Sequence, residues 1–540
     1  MRRSIGAPVA VVAFAVIAGG WLLQEGVDRS ENVYVRVRVL QEVMSKVESS
    51  FVDEVDQSRL YDSAIDGLLR DLGDPHTSLL PADDYENLRI RTEGEYGGVG
   101  LEVIDRNERV TVVSPIPSTP GARAGIRAGD QFFEIEGIRA DTMVTDQAVE
   151  LLRGKPGTEV TVKMTRPGVE EPIPFTIQRA LIQLKAVPFA LMLEDDIGYV
   201  SLLTVRETST REIRAAVDSL QGEGLRGLIL DLRGNPGGLL DQGIGVTDLF
   251  LESGLAIVET RGRAAGQNRT YSAEDPDRYP DLPVVVLVDA TSASASEIIA
   301  GALQDHDRAA VVGETTFGKG SVQSLYRLTG GDVLRLTTAR WYTPVGRSIS
   351  RDTQTPIDVT QLAVSITGRF VTPTDLSGRP EFSSEGGRQL YGGGGITPDL
   401  FASPETLSSS ESEAVFRVFQ RAGAFNVALF NYAVSFLSEH PDLEPGFSLS
   451  SADLDGFFSV LPEWDAVVDR PDFDASTRFI TYRLEREIAL QAWGDAAEFT
   501  QSMRLDGQLN AALELLSGIR TPAGLIEAVD AAEDRRNVPG

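Results

Sequence analysis

The chain has 540 residues, 42% hydrophobic and 24% charged, which suffices for several buried cores and about three or four domains. It has no cysteine, which excludes disulfides, thiolate metal sites and a cysteine nucleophile, and its formal net charge of −30 excludes a nucleic-acid partner held by its phosphates. His76, His306 and His440 are the only histidines, and none stands at ligand spacing from another.

Arg2 and Arg3 precede an apolar run from Ile5 to Leu23, long enough for a helical membrane span. Positive residues on the short amino-terminal side direct the body of the chain out of the cytoplasm. A cleaved signal peptide is the rival reading, but Gly19, Gly20, Trp21 and Leu22 stand where an Ala-x-Ala cleavage site is expected. Residues 1–24 are therefore read as a membrane anchor or signal sequence.

Residues 30–90 are predicted to be helical. Val35, Val39, Val43 and Val47 recur at helical spacing, Ile65, Leu68 and Leu69 follow, and the stretch stops at Leu72-Gly73-Asp74-Pro75-His76-Thr77-Ser78. From 92 to 180 the texture changes to short β runs such as Val110–Val113 and Glu159–Met164, punctuated by glycine and proline. From 181 to 365 apolar strands alternate with helical segments. Gly227–Leu230 and Val284–Val288 read as buried strands, each leading into a turn of small residues, which is α/β organisation. Residues 366–400, ending near Gly392-Gly393-Gly394-Gly395, read as a long Gly-rich loop. Residues 401–540 return to helix, with Ile480, Leu484 and Ile488 on one stripe and Arg483 and Glu487 beside it. The fold class is α/β and multidomain.

The chemistry concentrates where strands end. Asp289 to Ala300 runs from a buried strand through small residues into a helix, the physical setting of a nucleophile elbow without its Gly-x-Ser-x-Gly pattern. Spacing does not choose among Ser292, Ser294 and Ser296, and Ser294 with Glu297 equally forms a helix capping box. The histidines are poorly placed to serve such a serine. Lys319, between Gly318 and Gly320, is an alternative base: a free lysine titrates at about 10.4, and desolvation lowers that value by favouring the neutral amine. Gln323, four residues on, shares a face with it and could orient the amine. Gly313 to Lys319 also fits the first seven positions of a phosphate-binding loop, but Gly320 stands where a magnesium-holding Ser or Thr belongs, and the following residues read as β. Asp231 to Gly238 follows another buried strand. Gly237 and Gly238 there could present N–H groups to an oxyanion or simply make a tight turn. Tyr96-Gly97-Gly98-Val99-Gly100-Leu101 is either a carboxylate-binding nest or a hairpin turn.

Taken in order, these segments resemble the carboxy-terminal processing, or tail-specific, proteases. The resemblance is carried by Gly73–Thr77, Gly97–Leu101, Ala124–Asp130, Asp231–Gly238, Ser292–Glu297 and Phe317–Gln323, and spans about residues 35 to 365. It implies a serine endopeptidase that cleaves proteins near their carboxy termini without a cofactor or metal. It places the nucleophile on Ser294, the base on Lys319 and a supporting glutamine on Gln323. The oxyanion hole falls on the Ala295 amide and one of Gly237 and Gly238. A PDZ domain at 92–180 would hold substrate tails at Gly98, Val99, Gly100 and Leu101. The core at 181–365 would be a ClpP- or crotonase-like sheet with helices, between a helical amino-terminal segment and a helical extension at 401–540. The implied partners are protein substrates, with an adaptor or activator and a homodimer as further expectations, and the implied place is a bacterial inner membrane with the catalytic body in the periplasm, or the periplasm itself after signal cleavage. The contrasting function is a catalytically inactive PDZ scaffold, against which Ser294, Lys319 and Gln323 are all present.

Overall fold

The computed structural model describes residues 33–106, 109–166, 169–351, 363–371, 375–419, 422–464 and 466–537. The segment read as an anchor or signal, 1–24, lies outside them, and no helix among the described residues is long and apolar enough to cross a membrane. The chain divides into two compact units, residues 1–83 with 323–337, and residues 84–322 with 338–540.

In the smaller unit the predicted helices are Val33–Ser50 and Gln57–Asp71, the second capped by Asp56, whose carboxylate accepts from Ser58 N at 2.8 Å. The helix stop at Gly73–Thr77 is held by Asp74, which accepts from Thr77 Oγ1 at 2.5 Å and His76 N at 3.2 Å. Burial pushes the Asp74 carboxyl up, but hydrogen bonds from Thr337, Thr77 and His76 outweigh it and hold the group below its usual value. Strand Ser78–Leu80 then pairs antiparallel with Val333–Arg335, and Thr337 N donates to Thr77 Oγ1 at 3.1 Å. The stripe of Val35, Val39 and Val43 that identifies the first helix is exposed, so helical periodicity there marks an apolar face with no cover among the described residues.

In the larger unit, Ile197–Ser201, Gly227–Asp231, Val284–Val288 and Ala309–Gly313 are buried at every position, as strands covered on both faces must be. They pair in parallel in that order, with Ala190–Met192 antiparallel at one edge and Leu400–Phe401 parallel at the other. One face, including Leu228, Leu230, Val284 and Val286, packs on helices Ser209–Gly222, Leu240–Asp248 and Ala295–Asp305. The other, including Ile229, Val285, Leu287 and Val312, packs on Leu509, Leu516, Leu525 and Val529 of helices Gly507–Leu516 and Pro522–Asn537. Part of the helical extension thus completes the sheet. The rest forms a separate bundle around Phe425, Phe457, Phe473 and Phe479, into which the stripe Ile480, Leu484 and Ile488 points.

The small β domain places its strands in the order Leu101–Arg106, Arg109–Pro115, Gln131–Ile135, Glu159–Thr165 and Ile173–Gln178. From Glu159 to Met164 the fourth of these strands alternates between exposed and buried, so Val160, Val162 and Met164 reach the core. Leu101–Arg106 is an end strand of this sheet, and helix Thr145–Leu152 packs beside it. At its far end the Arg106 guanidinium lies 3.6 Å from the centre of the Phe430 ring in the bundle, and Gly129 abuts Val434.

The segment 366–400, read as a Gly-rich loop, contains a small hairpin, Glu381–Ser383 with Gln389–Tyr391, and the second strand of another, Phe370–Val371, which pairs with Ala363–Val364 just before it. Strands this short leave no alternation for a sequence pattern to register.

Candidate active site

The strand Val284–Val288 ends in a turn organised by Asp289, whose Oδ1 accepts from Thr291 N at 2.9 Å and Ser292 N at 3.0 Å. The turn separates the three candidate serines. Ser292 is buried, its Oγ donating to Leu232 O at 2.8 Å and accepting from Asp289 N at 3.0 Å. Ser296 is buried, its Oγ donating to Asn235 O at 3.2 Å. Ser294 is half-buried and stands at φ 56°, ψ −115°, immediately before helix Ala295–Asp305. A non-glycine residue in this region carries strain of about 1–3 kcal/mol, which surrounding bonds must hold in place. A strained serine between strand and helix is the geometry of a nucleophile elbow.

Much of that holding falls to Glu297, which is fully buried. Its Oε2 accepts from Ser294 N at 2.7 Å and from Lys319 N at 2.9 Å, so the amides of both candidate catalytic residues meet at one oxygen. Its Oε1 accepts from Thr316 Oγ1 at 2.6 Å and Gly318 N at 2.7 Å. Burial pushes this carboxyl up from its usual value, against the four hydrogen bonds that favour its charged form. The loop bearing Lys319 is further tied by Phe317 N to Ser292 O at 2.9 Å and by Trp341 Nε1 to Lys319 O at 3.0 Å. After Gly313 the chain enters this loop and then strand Ser321–Arg327, so no helix opens there and the phosphate-loop reading falls.

The loop Asp231–Gly238 abuts the nucleophile turn. Gly237 has φ 85°, and a Cβ on it would lie 2.8 Å from both Ala295 N and Ser294 Cβ, so no side chain fits. Asn235 links the two loops: its carbonyl accepts from Ala293 N at 3.0 Å, its Nδ2 donates to Leu202 O at 2.6 Å, and its Oδ1 accepts from Gly237 N at 2.9 Å. The Gly237 amide is thereby committed. Gly238 bridges to Val205 through the Gly237 carbonyl and the Leu239 amide, an arrangement that does not use the Gly238 N–H.

Gln323 lies in the smaller unit, where its Nε2 donates to Thr337 Oγ1 at 3.4 Å. The histidines have other contacts: His306 Nε2 pairs with Ala256 O at 2.7 Å, and His440 stacks on Phe436 at 4.1 Å. In the small β domain Gly98 ends a strand paired with Ala180–Gln183, Val99 is buried, the Gly100 carbonyl accepts from Ile116 N and Thr119 Oγ1, each at 3.0 Å, and Leu101 opens the end strand. Sequence reasoning missed three residues, Asn235, Glu297 and Thr316. Only Glu297 carried a signal, its capping-box spacing from Ser294, and that points to a helix end.

Comparison with known proteins adds a matching family model, Peptidase family S41, over residues 196–359, and a PDZ domain model over 111–166. The chain is 42% identical over 326 residues to the carboxy-terminal-processing protease of Bartonella bacilliformis, covering 60% of this chain and 74% of that one. It is 36% identical over 321 residues to the carboxyl-terminal-processing protease of Synechocystis, covering 58% and 74%. Among solved structures, a photosystem II D1 C-terminal processing protease aligns at 29% identity over 60% of this chain and 88% of that one, with a TM-score of 0.34.

Proposed function

This chain belongs to the carboxy-terminal-processing proteases of peptidase family S41, and from that premise we propose that Ser294 and Lys319 are the dyad of its serine endopeptidase activity. The observation that carries this assignment is the single Glu297 oxygen at which both backbone amides meet. Ser294 Oγ attacks the scissile carbonyl carbon while its proton passes to Lys319 Nζ. The tetrahedral intermediate collapses, the C–N bond breaks, and Lys319 returns the proton to the leaving amine. Water, deprotonated by Lys319, then attacks the acyl carbon, the ester C–O bond breaks, and Lys319 returns the proton to Ser294 Oγ. The Ala295 amide at the helix start and the Gly238 amide are the oxyanion donors this geometry favours, since Gly237 N already serves Asn235. Gln323 keeps, as part of the proposal, its role in supporting the lysine.

Substrate tails are captured by the PDZ domain, with the terminal carboxylate at Gly98–Leu101 and the extended tail beside strand Leu101–Arg106. Arg2, Arg3 and the run Ile5–Leu23 support a single-pass inner-membrane anchor with the catalytic body in the periplasm. Fractionation with protease accessibility tests it, and a soluble mature chain starting after Leu23 refutes it. The exposed stripe Val35, Val39 and Val43 supports a homodimer, and Val39→Glu should make a dimer seen by sedimentation dissociate. An adaptor or activator is a further partner in this proposal.

The test of the dyad is cleavage of an unfolded protein with a free carboxy terminus. Ser294→Ala and Lys319→Ala should each nearly abolish it. Wild-type-like turnover by either variant refutes the assignment.

A further inference from the structure

We infer that Glu297 is a positioning residue for catalysis, an ionised carboxylate buried beneath the dyad that sets the nucleophile and the base in register, with Thr316 as its anchor. The inference rests on the dyad assignment and adds to it what holds the two residues together.

The protonation state follows from the partners. Oε2 accepts two backbone N–H groups, from Ser294 and Lys319. Oε1 accepts a third, from Gly318, and the Thr316 hydroxyl. That hydroxyl donates to Glu297 while its oxygen accepts from Ile396 N at 2.7 Å. Two oxygens therefore face four donors, which fills the acceptor capacity of a carboxylate and leaves no site for a carboxylic proton. A neutral side chain here would set a donor against a donor in a buried place. The four bonds are charge-assisted, shorter and stronger than neutral ones.

The same carboxylate explains why the Gly-rich segment is built as it is. Gly395 stands at φ 99°, and a Cβ on it would lie 2.3 Å from the Thr316 carbonyl, so this glycine lets the chain press against the back of the lysine loop. Arg351 Nη2 clamps the same place, donating to Thr316 O at 2.8 Å and to Gly394 O at 3.2 Å, while Arg351 N donates to Gly318 O at 3.1 Å. A continuous path then runs from Ile396 through Thr316 to Glu297, and from there to both dyad amides. The strained Ser294 backbone is held by that path. Helix capping alone accounts for the Ser294 contact but not for the three contacts to residues 316–319.

The experiment compares Glu297→Gln, Glu297→Asp, Thr316→Val and Thr316→Ser with the full chain, using a short quenched peptide, a fluorophosphonate that labels the nucleophile, thermal unfolding, and binding of a free-carboxylate tail peptide. Glu297→Gln keeps size but turns an NH2 toward two donors. Its kcat and its labelling rate should fall by about a hundredfold or more, the scale of a roughly 1 Å misplacement, with KM within about threefold and tail binding unchanged. Thr316→Val should show the same split more weakly, and Thr316→Ser, which keeps the hydroxyl, should restore it. Glu297→Asp keeps the charge but shortens the reach, and should fall between glutamine and wild type. A folded Glu297→Gln enzyme with kcat near wild type overturns the inference. So does a loss of kcat that tracks a loss of tail binding and thermal stability, which marks a purely structural role. If Glu297→Gln does not fold, the threonine pair decides: equal kcat for Thr316→Val and Thr316→Ser overturns it. Failure of the dyad assignment looks different, since Ser294→Ala would then remain active and the fluorophosphonate would label another residue.

Discussion

The turn around Ser294 and the edge of the PDZ sheet treat their backbones in opposite ways. At the turn, the amides of Ser292, Ala293, Ser294, Phe317, Gly318 and Lys319 all have acceptors within the protein before a substrate arrives. At the PDZ domain, Leu101–Arg106 is an end strand, with a ladder on one side and helix Thr145–Leu152 near the other. The difference follows from what each region must do. Bond breaking requires atoms fixed within a fraction of an ångström, so their supports are built in. Under the proposed capture of substrate tails, an end strand leaves main-chain groups on which an extended peptide can pair.

Ser294→Ala and Lys319→Ala should each lower turnover by roughly 10²–10⁴-fold or more while leaving the affinity for a tail peptide unchanged. A parallel loss of tail binding would show that the two regions are not separable. Next, amidating the carboxy terminus of the peptide should weaken its binding to the Ser294→Ala protein by about ten- to a hundredfold, from one lost charge-assisted contact of about 1.5–3 kcal/mol. Equal binding of the two peptides would mean that Gly98–Leu101 is only a turn. Replacing Arg106 by alanine should cost about 0.5–2 kcal/mol in thermal unfolding through its lost contact with Phe430, with kcat on a short peptide preserved. The smallest effects sharpen the picture at the turn. Ser292→Ala and Ser296→Ala remove buried hydroxyl bonds, so each should cost about 1 kcal/mol of stability and leave measurable activity. The pH profile should climb on the alkaline side of neutrality, since a lysine base works only unprotonated. A midpoint near about 6.5 would indicate a histidine instead.

The regular parts of this architecture were legible in the sequence. Continuous apolar runs such as Val284–Val288 and the alternation in Glu159–Thr165 state how many faces each strand buries. The choice among Ser292, Ser294 and Ser296 was not legible. The three share one spacing and one composition, and only the folded turn gives two of them buried partners. Glu297 read as a helix cap because its other partners, Thr316, Gly318 and Lys319, lie far along the chain, and no local window contains them. The helical extension was recognisable as helix. Its division was not, because a stripe such as Ile480, Leu484 and Ile488 looks the same whether it faces a bundle or a sheet.

That division governs the order in which the protein becomes an enzyme. The face of the catalytic sheet carrying Ile229, Val285 and Leu287 is sealed by Leu509, Leu516 and Val529, residues translated long after Ser294 and Lys319. A nascent chain that already contains the whole dyad still has half of its central sheet exposed to water, and burial of that face is what drives the sheet to close. Closure of this sheet face therefore depends on helices Gly507–Leu516 and Pro522–Asn537, which lie far along the chain from Ser294 and Lys319. A chain ended after Trp493 should be labelled by fluorophosphonate far more slowly than the full chain and be degraded faster in pulse proteolysis. Equal labelling would show that the sheet closes without its final helices.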